Sequence, residues 1–325
     1  MKYNKMGNTG LKISAMGLGT MTFGAQVSEN DAIKIIDLAF EKGINLFDTA
    51  NSYTFGHSEE IVGKAIRNKR NAVVLGTKVA VKQGSAPNDF GLSRKHIIWA
   101  IEESLRRLGT DYIDIYYAHA PDYTTPIEET LRTFDNLLKQ GKVRYIACSN
   151  YRAWQLVKAL WVSERHNLAR FDCIQSPYNL ITRDIESELL SCCAGEGVGV
   201  TIYNPLASGL LTGKHDPSKG PNPNTRFGLD RFGPIEKEHY WSPINFQAVA
   251  NLKQITDACG HNLAQFSLAW IMSNPLISSA IVGASSTQQL EENIKATELK
   301  LTSEETKGCD DIWLGLRPQR VFYGK

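Results

Sequence analysis

In "NLFDTANSY" (residues 45–53) the apolar pair Leu46 and Phe47 runs directly into Asp48, and Tyr53 follows five positions later. Lys78 closes the run "AVVLGTK", and His119 lies near the end of "YIDIYYAHA". Each has a plain use on its own: a lysine caps a strand in water, a histidine fills a core, a tyrosine packs. Together, at the ends of successive apolar runs, they form a proton-transfer set. An ammonium favours the phenolate form of a tyrosine, and a carboxylate keeps that ammonium charged. A tyrosine tuned in this way serves as a general acid near neutral pH.

The elements that would position these groups alternate along the chain. The runs 15–21, 45–50, 72–78, 112–120, 143–150, 171–178, 198–206 and 278–285 read as eight strands. Between them lie helical segments, several ending at a glycine suited to a C-cap, with apolar spacings such as Ile98, Ile101, Leu105 and Leu108. Strand–helix units with nearly continuous apolar strands predict an α/β fold with a parallel sheet, and eight of them close into a (β/α)8 TIM barrel, a single domain over 1–325. In such a barrel the reacting groups gather at the carboxyl ends of the strands. That mouth would also receive Ser149, Asn150, Gln175 and Tyr203. Two stretches break the alternation. Residues 1–14 read as an N-terminal β-hairpin placed to plug the barrel bottom. Residues 214–242, dense in Pro, Gly and charge, read as one of the long lid loops, with two further helices before the last strand.

Composition narrows the partner. With 36 Lys+Arg against 34 Asp+Glu the formal charge is +2, so no global field points to nucleic acid, an anionic membrane or an acidic partner. A small molecule is the expected partner. The six cysteines show no CxxC and no ligand-like spacing with histidine, which predicts buried free thiols and no metal site. No apolar run approaches the ~20 residues of a membrane span, and "MKYNKMGNTG" lacks the apolar centre of a signal peptide. The chain reads as cytoplasmic.

Eight segments in order, "MGNTGLKISAMGLGTMTFG", "FDTANSYTFGHSEEIVGKAI", "GTK", "SLRRLGTDYIDIYYAHAPD", "LLKQGKVRYIACSN", "QSPYNL", "YNPLASGLLTGK" and "VGASSTQQLEEN", resemble the signature segments of the aldo-keto reductase superfamily. Their form is closer to its bacterial reductases and potassium-channel β-subunits than to aldose reductase. The resemblance implies a metal-free NADPH-dependent enzyme that reduces an aldehyde or ketone, and it needs no GxGxxG. It places a catalytic tetrad at Asp48, Tyr53, Lys78 and His119. Tyr53 would protonate the carbonyl oxygen, Lys78 and Asp48 would tune it, and His119 would orient the carbonyl and share in the proton transfer. It implies nicotinamide contacts from Ser149, Asn150, Gln175, the ring of Tyr203 and Asp48. Backbone contacts would come from Gly19, Thr20 and Met21. The pyrophosphate end falls on Leu206, Ser208, Gly209 and Leu211, and the adenine end on Gly283, Ser285, Gln289, Glu292 and Asn293.

Where many relatives carry a basic residue for the 2′-phosphate, this chain has Gly283, Ala284, Ser285 and Gln289. Lys214 and Arg226 resemble the cations with which the channel β-subunits hold that end, which favours NADPH and leaves NADH possible. Two alternatives stand beside the reductase. One is a redox-sensing auxiliary subunit that binds the dinucleotide and turns over slowly. The other is a Schiff-base aldolase using Lys78, against which the neighbouring Asp48 argues. Phe227, Phe232, Tyr240, Trp241, Trp313, Arg317 and Arg320 could shape the substrate pocket, apolar or sugar-binding; for Trp313, packing of the last helix is the plainer role.

Overall fold

Eight strands of the computed structural model hydrogen-bond in parallel around a closed barrel: β3 (Met16–Gly19), β4 (Leu46–Asp48), β5 (Val74–Val79), β6 (Ile113–Ala118), β7 (Val143–Ser149), β8 (Cys173–Pro177), β9 (Gly199–Tyr203) and β10 (Ser279–Gly283). β10 lies between β9 and β3, which closes the circle. All eight runs expected to be strands are strands, because nearly all of their residues are buried on either face and need no alternation. The structure describes residues 1–223, 225–229 and 233–316. These form two units. The first comprises Met1–Ser176, Ile185–Tyr203 and Pro275–Glu291 and holds the barrel strands; the second comprises Pro177–Asp184, Asn204–Asn274 and the stretch from Glu292.

The hairpin is present as antiparallel β1 (Tyr3–Lys5) and β2 (Lys12–Ser14). Met6 and Ile13 from this segment join Leu46, Val74, Ile115, Ala147, Cys173 and Ile281 in one buried cluster, so it closes the barrel's amino-terminal end. Its turn needs Gly7. The backbone there has φ +57, and a Cβ would stand 2.4 Å from the Gly199 nitrogen.

Helices α1 (Glu29–Glu41), α2 (His57–Ile66), α3 (Arg94–Leu108), α4 (Ile127–Lys139), α5 (Ala153–Arg165) and α6 (Leu189–Glu196) follow successive strands in the first unit. Local chemistry sets their ends: Ser28 and Ser93 cap α1 and α3 by accepting from Asp31 and His96 N–H, and Gly109 ends α3 at φ +61. The face of α3 differs from the expected one by a residue. Ile97, Ile101, Ser104 and Leu108 are buried, whereas Ile98 is 45 % exposed. A 3.6-residue period tolerates either choice until the packing partner decides.

The second unit holds α7 (Gly233–Tyr240), α8 (Pro243–Ala258), α9 (Leu263–Ser273) and α11 (Ser303–Leu316); α10 (Thr287–Ile294) follows β10. The stretch 214–242 is therefore not loop throughout, since a 3-10 turn at Arg226–Gly228 and α7 form within it. Eight residues including Pro234 carry too little periodicity to mark a helix in sequence, and such a short helix is held by its tertiary packing. All six cysteines are free thiols, with Cys148, Cys173, Cys193 and Cys309 buried. Among the described residues no helix is long and apolar enough to cross a membrane.

Candidate active site

Strand register sets the geometry. Asp48 at the end of β4 pairs with Gly76 of β5, and Lys78 lies two residues beyond on the same face of β5. The lack of a side chain at Gly76 makes room: a Cβ there would sit 3.2 Å from the Tyr117 ring and 3.6 Å from Asp48 Oδ2. Lys78, fully buried, donates from Nζ to Asp48 Oδ1 at 2.5 Å, to the Thr49 carbonyl at 2.7 Å and to Tyr53 Oη at 3.4 Å. Gln175 of β8 donates from Nε2 to the other Asp48 oxygen at 2.9 Å. The carboxylate is thus fixed by two strands reached from opposite sides.

Electrostatics follow from this enclosure. Burial opposes charge on Lys78, but Asp48 and Tyr53 outweigh it and hold the ammonium above its ordinary range. Lys78 is therefore a cation at neutral pH, 5.0 Å from the Tyr53 ring centroid. His119, after β6, meets the same tyrosine edge to face, with centroids 5.9 Å apart. Burial, reinforced by the Lys78 charge, pushes the imidazole down to about 3. It is neutral at physiological pH, so it can hydrogen-bond a carbonyl but holds no extra proton to give.

Beside this group stand the expected nicotinamide contacts of the first unit. Ser149 ends β7 and Asn150 follows it at φ +64. Asn150 Nδ2 donates to the His119 carbonyl and to Ser149 Oγ, each at 3.0 Å, and Tyr203 Oη donates to Asn150 Oδ1 at 2.9 Å. Thr20, also fully buried, donates from both its N–H and its hydroxyl to the Asp48 carbonyl at 3.0 Å. It braces Asp48; Gly19 ends β3, and Thr20 and Met21 follow. Gly283 and Ser285 are exposed at the end of β10, and the N–H and hydroxyl of Ser285 both donate to Gln289 Oε1.

The remaining expected residues belong to the second unit. Ala207, Ser208 and Gly209 all have positive φ, in a tight turn. The N–H groups of Ser208, Gly209 and Leu211 are taken up inside it by Asn204 Oδ1 and the Leu206 carbonyl. Lys214 is exposed and makes no ion pair among the described residues, whereas Arg226 is paired with Glu236. Glu292 accepts from Gln265 and from Lys295. The Nδ2 of Asn293 is buried with no partner among the described residues. Phe227 and Tyr240 are buried, and Trp241, half-buried, joins Phe227 and His215 in an edge-to-face cluster. Trp313 is buried on α11. Phe232, Arg317 and Arg320 lie outside the described residues.

Within the first unit, the amide and hydroxyl groups of Ser149, Asn150 and Gln175 at the ends of β7 and β8 are of the kind that fits the carboxamide of a nicotinamide. Sequence reasoning did not single out Asn204, which holds Ser208, or Glu236. Asn204 had a signal, its place before Pro205 at a strand end; Glu236 had none.

Comparison with known proteins shows the family. The model of the aldo/keto reductase family matches residues 15–314. A probable voltage-gated potassium channel subunit beta of Arabidopsis thaliana is 38% identical over 304 residues, 92% of each chain. The Oryza sativa subsp. japonica protein of the same description is 39% identical over 305 residues, again 92% of each. A putative subunit of this kind from Schizosaccharomyces pombe is 37% identical over 329 residues, 98% of this chain and 94% of the relative.

Proposed function

The chain belongs to the aldo/keto reductase family of oxidoreductases, and from that premise we propose that it reduces an aldehyde or ketone to the alcohol with NADPH as the preferred donor. One observation carries the reading: the buried Lys78 ammonium bridges the Asp48 carboxylate and the Tyr53 hydroxyl, at 2.5 and 3.4 Å. When bound, the reduced nicotinamide supplies the hydride. Tyr53 gives its phenolic proton to the carbonyl oxygen of the substrate. Negative charge then forms on Tyr53 Oη beside a fixed cation, which lowers the cost of the transfer. Asp48, held by Lys78 and Gln175, keeps that cation in place. His119, neutral, orients the carbonyl by a hydrogen bond. Ser149, Asn150, Gln175 and Tyr203 would hold the nicotinamide, and Asn293 the adenine. Lys214 and Arg226 are the cations that favour a 2′-phosphate.

Lys78 argues against the aldolase reading, because a protonated amine is not a nucleophile. The auxiliary-subunit reading has one support, the likeness to the channel-subunit relatives. A panel of aldehydes, ketones and keto sugars, followed at the reduced-nicotinamide absorbance, separates the two. The reductase reading expects turnover near the enzymatic median of ~10 s⁻¹ for at least one compound, and rates below about one per minute throughout would favour the subunit.

A further inference from the structure

Ser208 and Arg226, two of the side chains assigned to the phosphate end of the dinucleotide, are bonded to one and the same carboxylate. Glu236, in the first turn of α7, accepts from Ser208 Oγ at Oε2, and its Oε1 stands 2.9 Å from Arg226 Nη2. Glu236 is only 8 % exposed, while the Arg226 side chain keeps 32 %. Asn204 holds Ser208 from the other side, its Oδ1 accepting the Ser208 N–H at 2.7 Å and hydroxyl at 3.3 Å. The carboxylate is enclosed, and the amino-terminal turn of a helix favours negative charge there.

We propose that Glu236 is a specificity-determining residue for the dinucleotide: it competes with the 2′-phosphate for Arg226 and thereby limits the preference for NADPH over NADH. The inference rests on the cofactor reading given above. A phosphate drawn to Arg226 meets an ion pair, not a bare guanidinium. Either it displaces Glu236, which leaves an enclosed carboxylate with a hydroxyl donor only, or it shares Arg226 and places its own negative charges beside that carboxylate. Both outcomes cost free energy, and the cost falls on the ligand that carries the phosphate. NADH has no such group and is spared. Lys214, exposed and without an ion pair among the described residues, remains the uncompensated cation that sustains the NADPH preference.

The test is a fluorescence titration of NADPH and of NADH into the full chain as wild type, Glu236→Gln, Arg226→Ala and the double variant. Glutamine keeps an oxygen for Ser208 but no charge for Arg226. Glu236→Gln is expected to tighten NADPH by about tenfold, the scale of one charge-assisted contact, with NADH nearly unchanged. The double variant should lose that gain. Equal tightening for both dinucleotides, a loss for NADPH, or a gain that survives without Arg226 would each overturn the role of Glu236. If thermal unfolding shows that Glu236→Gln folds poorly, Glu236→Asp, whose carboxylate is drawn back from Arg226, should shift the NADPH-to-NADH ratio in the same direction, and an unchanged ratio there overturns the proposal. A wild type that binds neither dinucleotide would sink the cofactor reading itself. One that binds both, with the same ratio in every Glu236 variant, would sink this inference alone.

Discussion

Lys78 and Asp48 form an ion pair, Nζ 2.5 Å from Oδ1, in which the two side chains are 0 % and 4 % exposed. Such a pair stabilises a fold little against an apolar replacement, but removing one partner strands a buried charge and costs about 3–5 kcal/mol. Asp48→Asn, which strands the Lys78 ammonium, and Lys78→Met, which strands the Asp48 carboxylate, are therefore each expected to destabilise the protein, and each by more than the double variant, which strands neither. Chemical denaturation of the three variants checks the order, and an Asp48→Asn midpoint equal to wild type would show the pair to be energetically silent. The pH dependence has a definite sign. The folded state holds Lys78 above its ordinary 10.5, so the contribution is complete below that pH and is lost above it as the ammonium deprotonates.

Tyr53→Phe removes the only hydroxyl within reach of Lys78 Nζ among the described residues and leaves the ring's packing on His119. Carbonyl reduction should fall by about 10²–10⁴-fold, the usual worth of a general acid. Dinucleotide binding should be nearly unchanged, because the amide and hydroxyl groups of Ser149, Asn150 and Gln175 do not depend on the phenol. Steady-state rates beside a cofactor titration make the comparison; full turnover in the variant would move the acid elsewhere.

His119 supplies an acid-side test. Its ordinary value is 6.5 and burial holds it at about 3, so between those values the unfolded chain takes up a proton that the folded chain refuses. Stability from this group is fully present above pH 6.5 and is lost as the pH falls toward 3, at a slope of at most ~1.4 kcal/mol per pH unit. His119→Asn should flatten the wild-type loss across that window. Denaturation midpoints at a series of pH values would reveal it, and parallel curves for the two proteins would contradict a buried neutral imidazole.

The barrel and its mouth were legible because burial on both strand faces writes itself as apolar runs, and a polar residue ending such a run has few structural uses. Asp48, Lys78, Ser149 and Gln175 all announce themselves in that way. What stayed hidden depends on partners distant in sequence or on short elements. Ile97 and Ile98 exchange roles according to what α3 packs against. α7 leaves little mark in the sequence because its eight residues carry almost no period. Glu236 bonds to Ser208 across 28 positions, and no local pattern announces that contact. The N–H groups at Ser208 and Gly209 could be counted from sequence, but not that Asn204 and Leu206 already engage them.

Lys214 bears on the cofactor question from the other direction than Glu236. It is exposed, follows the positive-φ Gly213, and has no ion pair among the described residues. A cation of this kind acts at the surface, where a single charge contact is worth up to about 1 kcal/mol and salt screens it over ~8–10 Å. Lys214→Ala should therefore weaken NADPH by up to about fivefold at low ionic strength, with little change for NADH. The difference should shrink as salt is added. Paired titrations of both cofactors at low and high ionic strength decide it. A loss shared equally by NADPH and NADH would place Lys214 on the pyrophosphate, and no loss for either would leave the NADPH preference without the cation that was assigned to it.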